Sequence, residues 1–131
     1  MLLETAKKII DKLLNNEIPP ATAENTFAVV FEFIGGEPFL EIDLIQSICD
    51  YIIYKMIELD HPWLPHIRFS ICSNGLLYNT PKVQEFFNKY HNFISLSISL
   101  DGNKELHDKC RIDLNNNGTY DRVIENIKLY Q

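Results

Sequence analysis

Residues 94–100 read Ile94-Ser95-Leu96-Ser97-Ile98-Ser99-Leu100, a strand with one face entirely aliphatic and the other entirely serine. Successive side chains of a strand point to opposite faces, so this alternation assigns one buried and one polar side. The preceding strand pattern, Ile67-Arg68-Phe69-Ser70-Ile71-Cys72, alternates in the same way. A further apolar, β-branched run lies at about residues 27–34. Helical patterns separate the three runs, which makes them parallel βα units. A doubly wound sheet covered by helices on both faces is apolar on both. A barrel carries helices on one side only, and its other side can be small and polar where it lines a cavity. The serine face therefore favours an α/β fold of the incomplete (βα) barrel type, with three parallel strands alternating with four helices. Glu32 and Arg68 are candidates for a pair inside it.

The helices follow from apolar spacing. Residues 3–14 place Ala6, Ile9, Ile10, Leu13 and Leu14 on one face, and a polar loop with Pro19-Pro20 follows. Residues 41–59 place Ile45, Ile48, Cys49, Ile52 and Met56 together, ahead of a loop with Pro62 and Pro65. Thr80 reads as a cap with Pro81 in the first turn of a helix running to Tyr90. The last helix starts near Thr119-Tyr120, with Val123, Ile124 and Ile127 facing the core.

In βα folds a ligand lies at the C-terminal ends of the strands. Here those ends are Gly35-Gly36-Glu37-Pro38, Ser73-Asn74-Gly75 and Ser99-Leu100-Asp101-Gly102, each pairing glycine with polar groups. The first has two glycines, so no Cβ blocks approach to its backbone, and Pro38 then stiffens the exit. Read alone, Gly-Gly before a helix is a tight turn. Three such ends in register favour a shared ligand site.

Composition narrows the classes. The chain has 131 residues, 46% of them hydrophobic and 23% charged, which suits one globular domain with a real core. A net charge of −6 disfavours a nucleic-acid binder working through a basic surface. No apolar run reaches membrane-spanning length. The amphipathic start, MLLETAKKIIDKLL, does not read as a signal peptide. Three dispersed cysteines, Cys49, Cys72 and Cys110, argue against a disulfide framework and for a reducing cytoplasm. No CxxC or HxxxH spacing marks a local metal site, so no metal ligand and no catalytic residue is assigned.

Single residues have plain readings beside functional ones. Glu37 suits a helix N-terminus, where an acid complements the dipole. Ser95 and Ser97 read as cavity lining, with no partner placed to activate them. Asp101-Gly102 can be a turn. His107-Asp108 suggests an acid–base pair, but adjacent residues rarely face each other and a solvated loop fits better. His61, His66 and His91 read as surface, and Cys110 as a loop cysteine.

FEFIGGEP, SNG, SISLDG, His107-Asp108-Lys109-Cys110-Arg111 and GTYDRVIENI occur in this order and spacing. Together they resemble the radical SAM superfamily, in particular peptide and protein maturases that carry a C-terminal SPASM or twitch extension. These include anaerobic sulfatase maturases and thioether-forming peptide maturases. The resemblance implies a 4Fe–4S cluster on three cysteines, with S-adenosylmethionine on the fourth iron and a 5′-deoxyadenosyl radical that abstracts hydrogen from a peptide or protein. The cofactor carries the hard chemistry and the protein positions it. By resemblance, Gly35, Gly36, Glu37 and Pro38 receive the methionine amino group. Ser99 and Asp101 contact the ribose and carboxylate region, Arg111 pairs with the carboxylate, and Ser73 and Asn74 are polar residues of the same rim. A guanidinium suits a carboxylate through two parallel hydrogen bonds.

The family's CxxxCxxC cluster loop precedes the helix at residues 3–14, where this chain begins. Cys49, Cys72 and Cys110 fall on different elements and do not replace it. The expectation is a partial radical SAM core over residues 1–131, from barrel helix one to helix four, without the cluster loop or the later strands. Alone it is expected to be inactive and cytoplasmic, with no nucleic-acid or membrane partner, and to self-associate through its open sheet edges. The alternative is a cluster-free small-molecule or nucleotide-binding module, or a regulatory remnant, without catalysis. A small βα enzyme using Glu37 or His107 as acid–base lacks a nucleophile or metal to work with.

Overall fold

Among the described residues the sheet has three strands, side by side in chain order and all parallel. The computed structural model describes residues 2–17 and 28–130. Its elements are α1 (Leu3–Leu14), β1 (Val29–Phe33), α2 (Ile42–Glu58), β2 (Ile67–Ser73), α3 (Pro81–Tyr90), β3 (Ile94–Ile98), α4 (Lys104–Cys110) and α5 (Tyr120–Tyr130). Short 3₁₀ turns at Pro38–Glu41 and Leu64–His66 lead into α2 and β2. The Pro19-Pro20 loop and the Phe27 start of the first strand lie outside the described residues.

Register makes the sheet two-faced. Phe31 pairs with Phe69, and Phe33 with Ile71, which pairs in turn with Leu96. This face joins the core with α1, α2 and α3. The other face carries Glu32, Ser70 and Ser95 in one row and Cys72 beside Ser97 in the next. Arg68, Cys72, Ser95 and Ser97 are exposed there. The period-2 pattern thus yields helices on one side and an open polar side on the other, as a barrel wall requires. Glu32 and Arg68 share that face without forming an ion pair. The Arg68 guanidinium instead donates to the Ile67 carbonyl at 2.8 Å.

Phe69 is the centre of the core, fully buried on the middle strand. Its ring meets Phe31 at 6.2 Å, Phe33 at 6.3 Å and Tyr90 edge-on at 5.7 Å. It therefore couples β1, β2 and α3. The Tyr90 hydroxyl is anchored on Asp50 of α2 at 2.5 Å. Burial, and then that bond, push the Tyr90 phenol well above its usual range.

The structure corrects several local readings. It has five α-helices among the described residues, because Lys104–Cys110 is helical. Seven residues are too few to show a period, and the local signal is Asn103, whose side chain accepts from the Leu106 amide at 3.1 Å. His107 is consequently not in a solvated loop; it is fully buried. Thr80 occupies the cap position of α3, but its hydroxyl donates to the Leu77 carbonyl at 2.8 Å and leaves the helix amides alone. Ile9 is about half exposed, unlike Ala6, Ile10 and Leu14 on the same helix. β3 closes at Ile98, though the Ser99 amide still bonds the Ser73 carbonyl at 3.0 Å. No helix among the described residues is long and apolar enough to cross a membrane.

Truncating Phe69 to alanine empties the point where three elements meet. It is expected to cost about 3–5 kcal/mol in urea unfolding. A loss below about 1 kcal/mol would show that the core does not converge there.

Candidate ligand site at the strand ends

The end of β1 is tied to the end of β2 by one carboxylate. Glu37 Oε1 accepts from the Ser73 hydroxyl at 2.7 Å, and Oε2 accepts from the Asn74 amide at 2.9 Å. Oε1 also accepts from the Phe39 amide at 3.1 Å and so caps the 3₁₀ turn. Glu37 is thus the turn-capping acid read from sequence and, in addition, a cross-strand clamp. Three donors on one carboxylate leave it little freedom, and each charge-assisted bond is stronger than a neutral one.

Ser73 carries the tie onward. Its hydroxyl accepts from the Gly75 amide at 2.9 Å while its carbonyl holds the Ser99 amide at the end of β3. Gly75 has a left-handed φ of +78°, and a Cβ there would meet Ile98 at 2.9 Å, so glycine is required. The Gly75 carbonyl is held by Asn126 of α5 at 2.7 Å. Asn126 was not foreseen as part of the site. It is a buried polar residue on the apolar face that carries Val123, and a polar residue in a core stripe is the signal that could have found it.

Gly35 and Gly36 stand clear of the fold. Both are exposed, and among the described residues no atom beyond the immediate chain neighbours lies within 4 Å of a Cβ built on either. Gly35 has φ +139°, a conformation side chains rarely adopt. The glycines therefore leave backbone accessible and are not required by close internal packing. Pro38 is buried and starts the turn. A cleft of about 490 Å³ runs beside them, lined by Glu32 and Ile34 of the first strand end and by Leu44 and Ile48 of α2.

At the third strand end Asp101 and Arg111 form an ion pair, Nε to Oδ2 at 2.6 Å. Arg111 lies just past α4, which brings it back beside the β3 end. Its terminal guanidinium nitrogens bond no group among the described residues, so they can receive an anionic ligand. The guanidinium holds the Asp101 carboxyl below the usual carboxylate range. The structure thus joins Glu37, Ser73, Asn74 and Ser99 in one network and Asp101 with Arg111 in a second, two residues along the chain from Ser99.

The cysteines do not converge. Cys49 is buried on α2, and burial followed by the Asp50 charge pushes its thiol far up, which keeps it protonated. Cys72 sits on the open sheet face and Cys110 at the end of α4, both exposed. Among the described residues no three His, Cys, Asp or Glu side chains gather in a way that could hold a metal ion.

No family model matches the chain. A curated relative, the cysteine-type anaerobic sulfatase-maturating enzyme of Clostridium novyi (strain NT), is 34% identical over 119 residues. The match takes in 89% of this chain and 29% of that enzyme. Among solved structures, native anSMEcpe with bound AdoMet and Kp18Cys peptide superposes with a TM-score of 0.72 at 23% identity, over 99% of this chain and 32% of its own. Native anSMEcpe with bound AdoMet gives the same score over 31% of its length. Over most of its own length the chain is similar in sequence to the Clostridium novyi maturase, the type its motifs resemble. Its fold is that of part of a radical SAM (βα) barrel, and it spans less than a third of the length of the relatives it matches.

Replacing Glu37 by alanine removes three acceptor bonds at once. It is expected to lower stability by about 2 kcal/mol and to raise hydrogen exchange at the Asn74 amide. Unchanged Asn74 protection would contradict the clamp.

The depressed Asp101 carboxyl stabilises the fold above the ordinary carboxylate pKa, and the gain is lost as pH falls through the lowered value. Because the pair is half exposed, the effect on stability is small. The carboxyl carbon resonance of Asp101 is expected to titrate with a midpoint below 3.8. Arg111→Ala should bring the midpoint back up, and a wild-type midpoint at or above 3.8 would contradict the pairing.

Proposed function

We propose that this chain is the S-adenosylmethionine-binding part of a radical SAM peptide or protein maturase, a partial core domain over residues 1–131. The carrying observation is the junction of three strand ends. The open Gly35-Gly36 backbone stands on one side, and the Asp101–Arg111 pair, with donors to spare, on the other. S-adenosylmethionine suits this rim: its methionine end carries an ammonium and a carboxylate, and its ribose carries hydroxyls. The carbonyls near Gly35–Pro38 accept from the ammonium, Arg111 receives the carboxylate, and Ser99 with Asp101 takes the ribose side. Ser73 and Asn74 hold the wall in place through Glu37. Bound at this rim beside a reduced cluster, S-adenosylmethionine would supply radical chemistry for abstracting hydrogen from the substrate.

The cysteines of this chain do not fit a 4Fe–4S cluster, because they lie on three separate elements and Cys49 is held protonated. Catalysis by these residues alone is therefore not expected. The maturase relatives support a peptide or protein as the substrate class, and the three free, dispersed cysteines support the cytoplasm as the compartment we assign. β1 and β3 each leave one edge unpaired among the described residues, and we assign to those edges a tendency to self-associate. The second reading, a cluster-free module binding a small molecule or nucleotide, draws on the same accessible backbone at Gly35 and Gly36.

Calorimetric titration with S-adenosylmethionine, alongside ATP as a competing nucleotide, separates the two readings. Weak binding of S-adenosylmethionine that falls about tenfold or more in Arg111→Ala is expected, from loss of a charge-assisted contact. Preference for ATP would favour the second reading, and no binding of either would defeat the assignment. Anaerobic reconstitution with iron and sulfide is expected to give no stable cluster. A 4Fe–4S spectrum dependent on Cys49, Cys72 and Cys110 would overturn that view.

A further inference from the structure

His107 is fully buried, yet both its ring nitrogens are used, and both lead to the exposed pair at the third strand end. The Asp101 amide donates to His107 Nδ1 at 3.3 Å. An amide can only donate, so Nδ1 is the acceptor and the proton sits on Nε2. Nε2 then donates to Thr119 Oγ1 at 3.0 Å, and the Thr119 hydroxyl donates to the Arg111 carbonyl at 2.9 Å. Arg111 Nε closes the ring on Asp101 at 2.6 Å. Every donor in the circuit has one acceptor, and the direction is the same all the way round.

The surroundings hold this arrangement. Thr119 is buried, and the Tyr120 ring packs edge-on against the imidazole at 5.7 Å. Asp108, next to His107 on α4, accepts from the Tyr120 amide at 2.9 Å and so fixes the start of α5 beside it. A Cβ on Gly118 would overlap the Asp108 carboxylate, so a larger residue there would have to move Asp108 from where it accepts the Tyr120 amide. Burying an unpartnered imidazole costs about 1–3 kcal/mol, and an aliphatic side chain would avoid that cost. A histidine at this place is explained by the two bonds it makes.

We propose that His107, in its Nε2-protonated neutral form, is a positioning residue that sets Asp101 and Arg111 in the geometry that receives the ligand. The inference rests on the assignment of those two residues to the S-adenosylmethionine site. His107 touches no ligand itself. It fixes the backbone at Asp101 directly and the backbone at Arg111 through Thr119, and the two side chains then meet.

The test compares three replacements of His107 in the full chain. In His107→Asn the amide oxygen can take the place of Nδ1. In His107→Gln the amide nitrogen can take the place of Nε2. His107→Leu offers neither. Two readouts are followed: the Arg111 Nε–H resonance in the free protein, and the affinity for S-adenosylmethionine. Wild type is expected to show a slowly exchanging Nε–H, retained in His107→Asn and lost in His107→Leu. Affinity should fall about tenfold in His107→Leu and within about threefold in His107→Asn. A folded His107→Leu that keeps both the resonance and the affinity overturns the proposal.

Should His107→Leu fail to fold, Thr119→Val and Thr119→Ser decide the same question. Valine is expected to lose the Nε–H signal and serine to keep it, and equal behaviour of the two overturns the ring. Should wild type bind no S-adenosylmethionine, the ligand assignment fails, and the ring is judged on the Nε–H resonance alone.

Discussion

A single carboxylate, that of Glu37, holds the ends of two parallel strands together. It takes the Ser73 hydroxyl, the Asn74 amide and the Phe39 amide at once. Parallel strands end in loops that need not meet, because their hydrogen-bond ladder stops at the last paired residue. Here the ladder is extended past its end by side chains. Ser73 passes the connection to Gly75 and, through its carbonyl, to Ser99, so all three strand ends are braced from one acid. Asn126 adds a strut from α5. The rim is thus held where it is internally bonded and bare at Gly35 and Gly36, where no described residue packs.

That division suits a site for a flexible, polar cofactor. Bonded groups set the spacing, and exposed backbone together with the terminal guanidinium nitrogens of Arg111, which bond no group among the described residues, is left open. The core sets the platform. Phe69 fixes the middle strand against its neighbours and α3, so the strand ends share one level. The polar face, with Ser95 and Ser97 beside Ser70 and Cys72, stays uncovered on the side a barrel encloses. Likeness to native anSMEcpe places the same fold in a structure with bound AdoMet.

The layers and the motif positions were legible from sequence because both are local. The ISLSISL alternation fixes which side of β3 is buried, and its serines are exposed or partly so in the structure. β2 runs from Ile67 to Ser73 as read, and the three strand ends carry the residues the family motifs point to. The partners of those residues were not legible. Glu37 finds Ser73 across 36 positions, and no propensity signals a bond of that range. His107 read as a loop residue because seven-residue α4 shows no period, and because its burial depends on α5 returning past it at Thr119 and Tyr120. Arg111 was read as a ligand for a carboxylate, but its first partner is Asp101, ten residues away.

The most direct measurement is a crystal structure of the chain with S-adenosylmethionine bound. The account predicts the methionine ammonium against the backbone of Gly35–Pro38, its carboxylate on the Arg111 guanidinium, and the Asp101–Arg111 and Glu37–Ser73 bonds intact. A ligand lodged away from these three strand ends, or one that displaces Glu37 from Ser73, would contradict it.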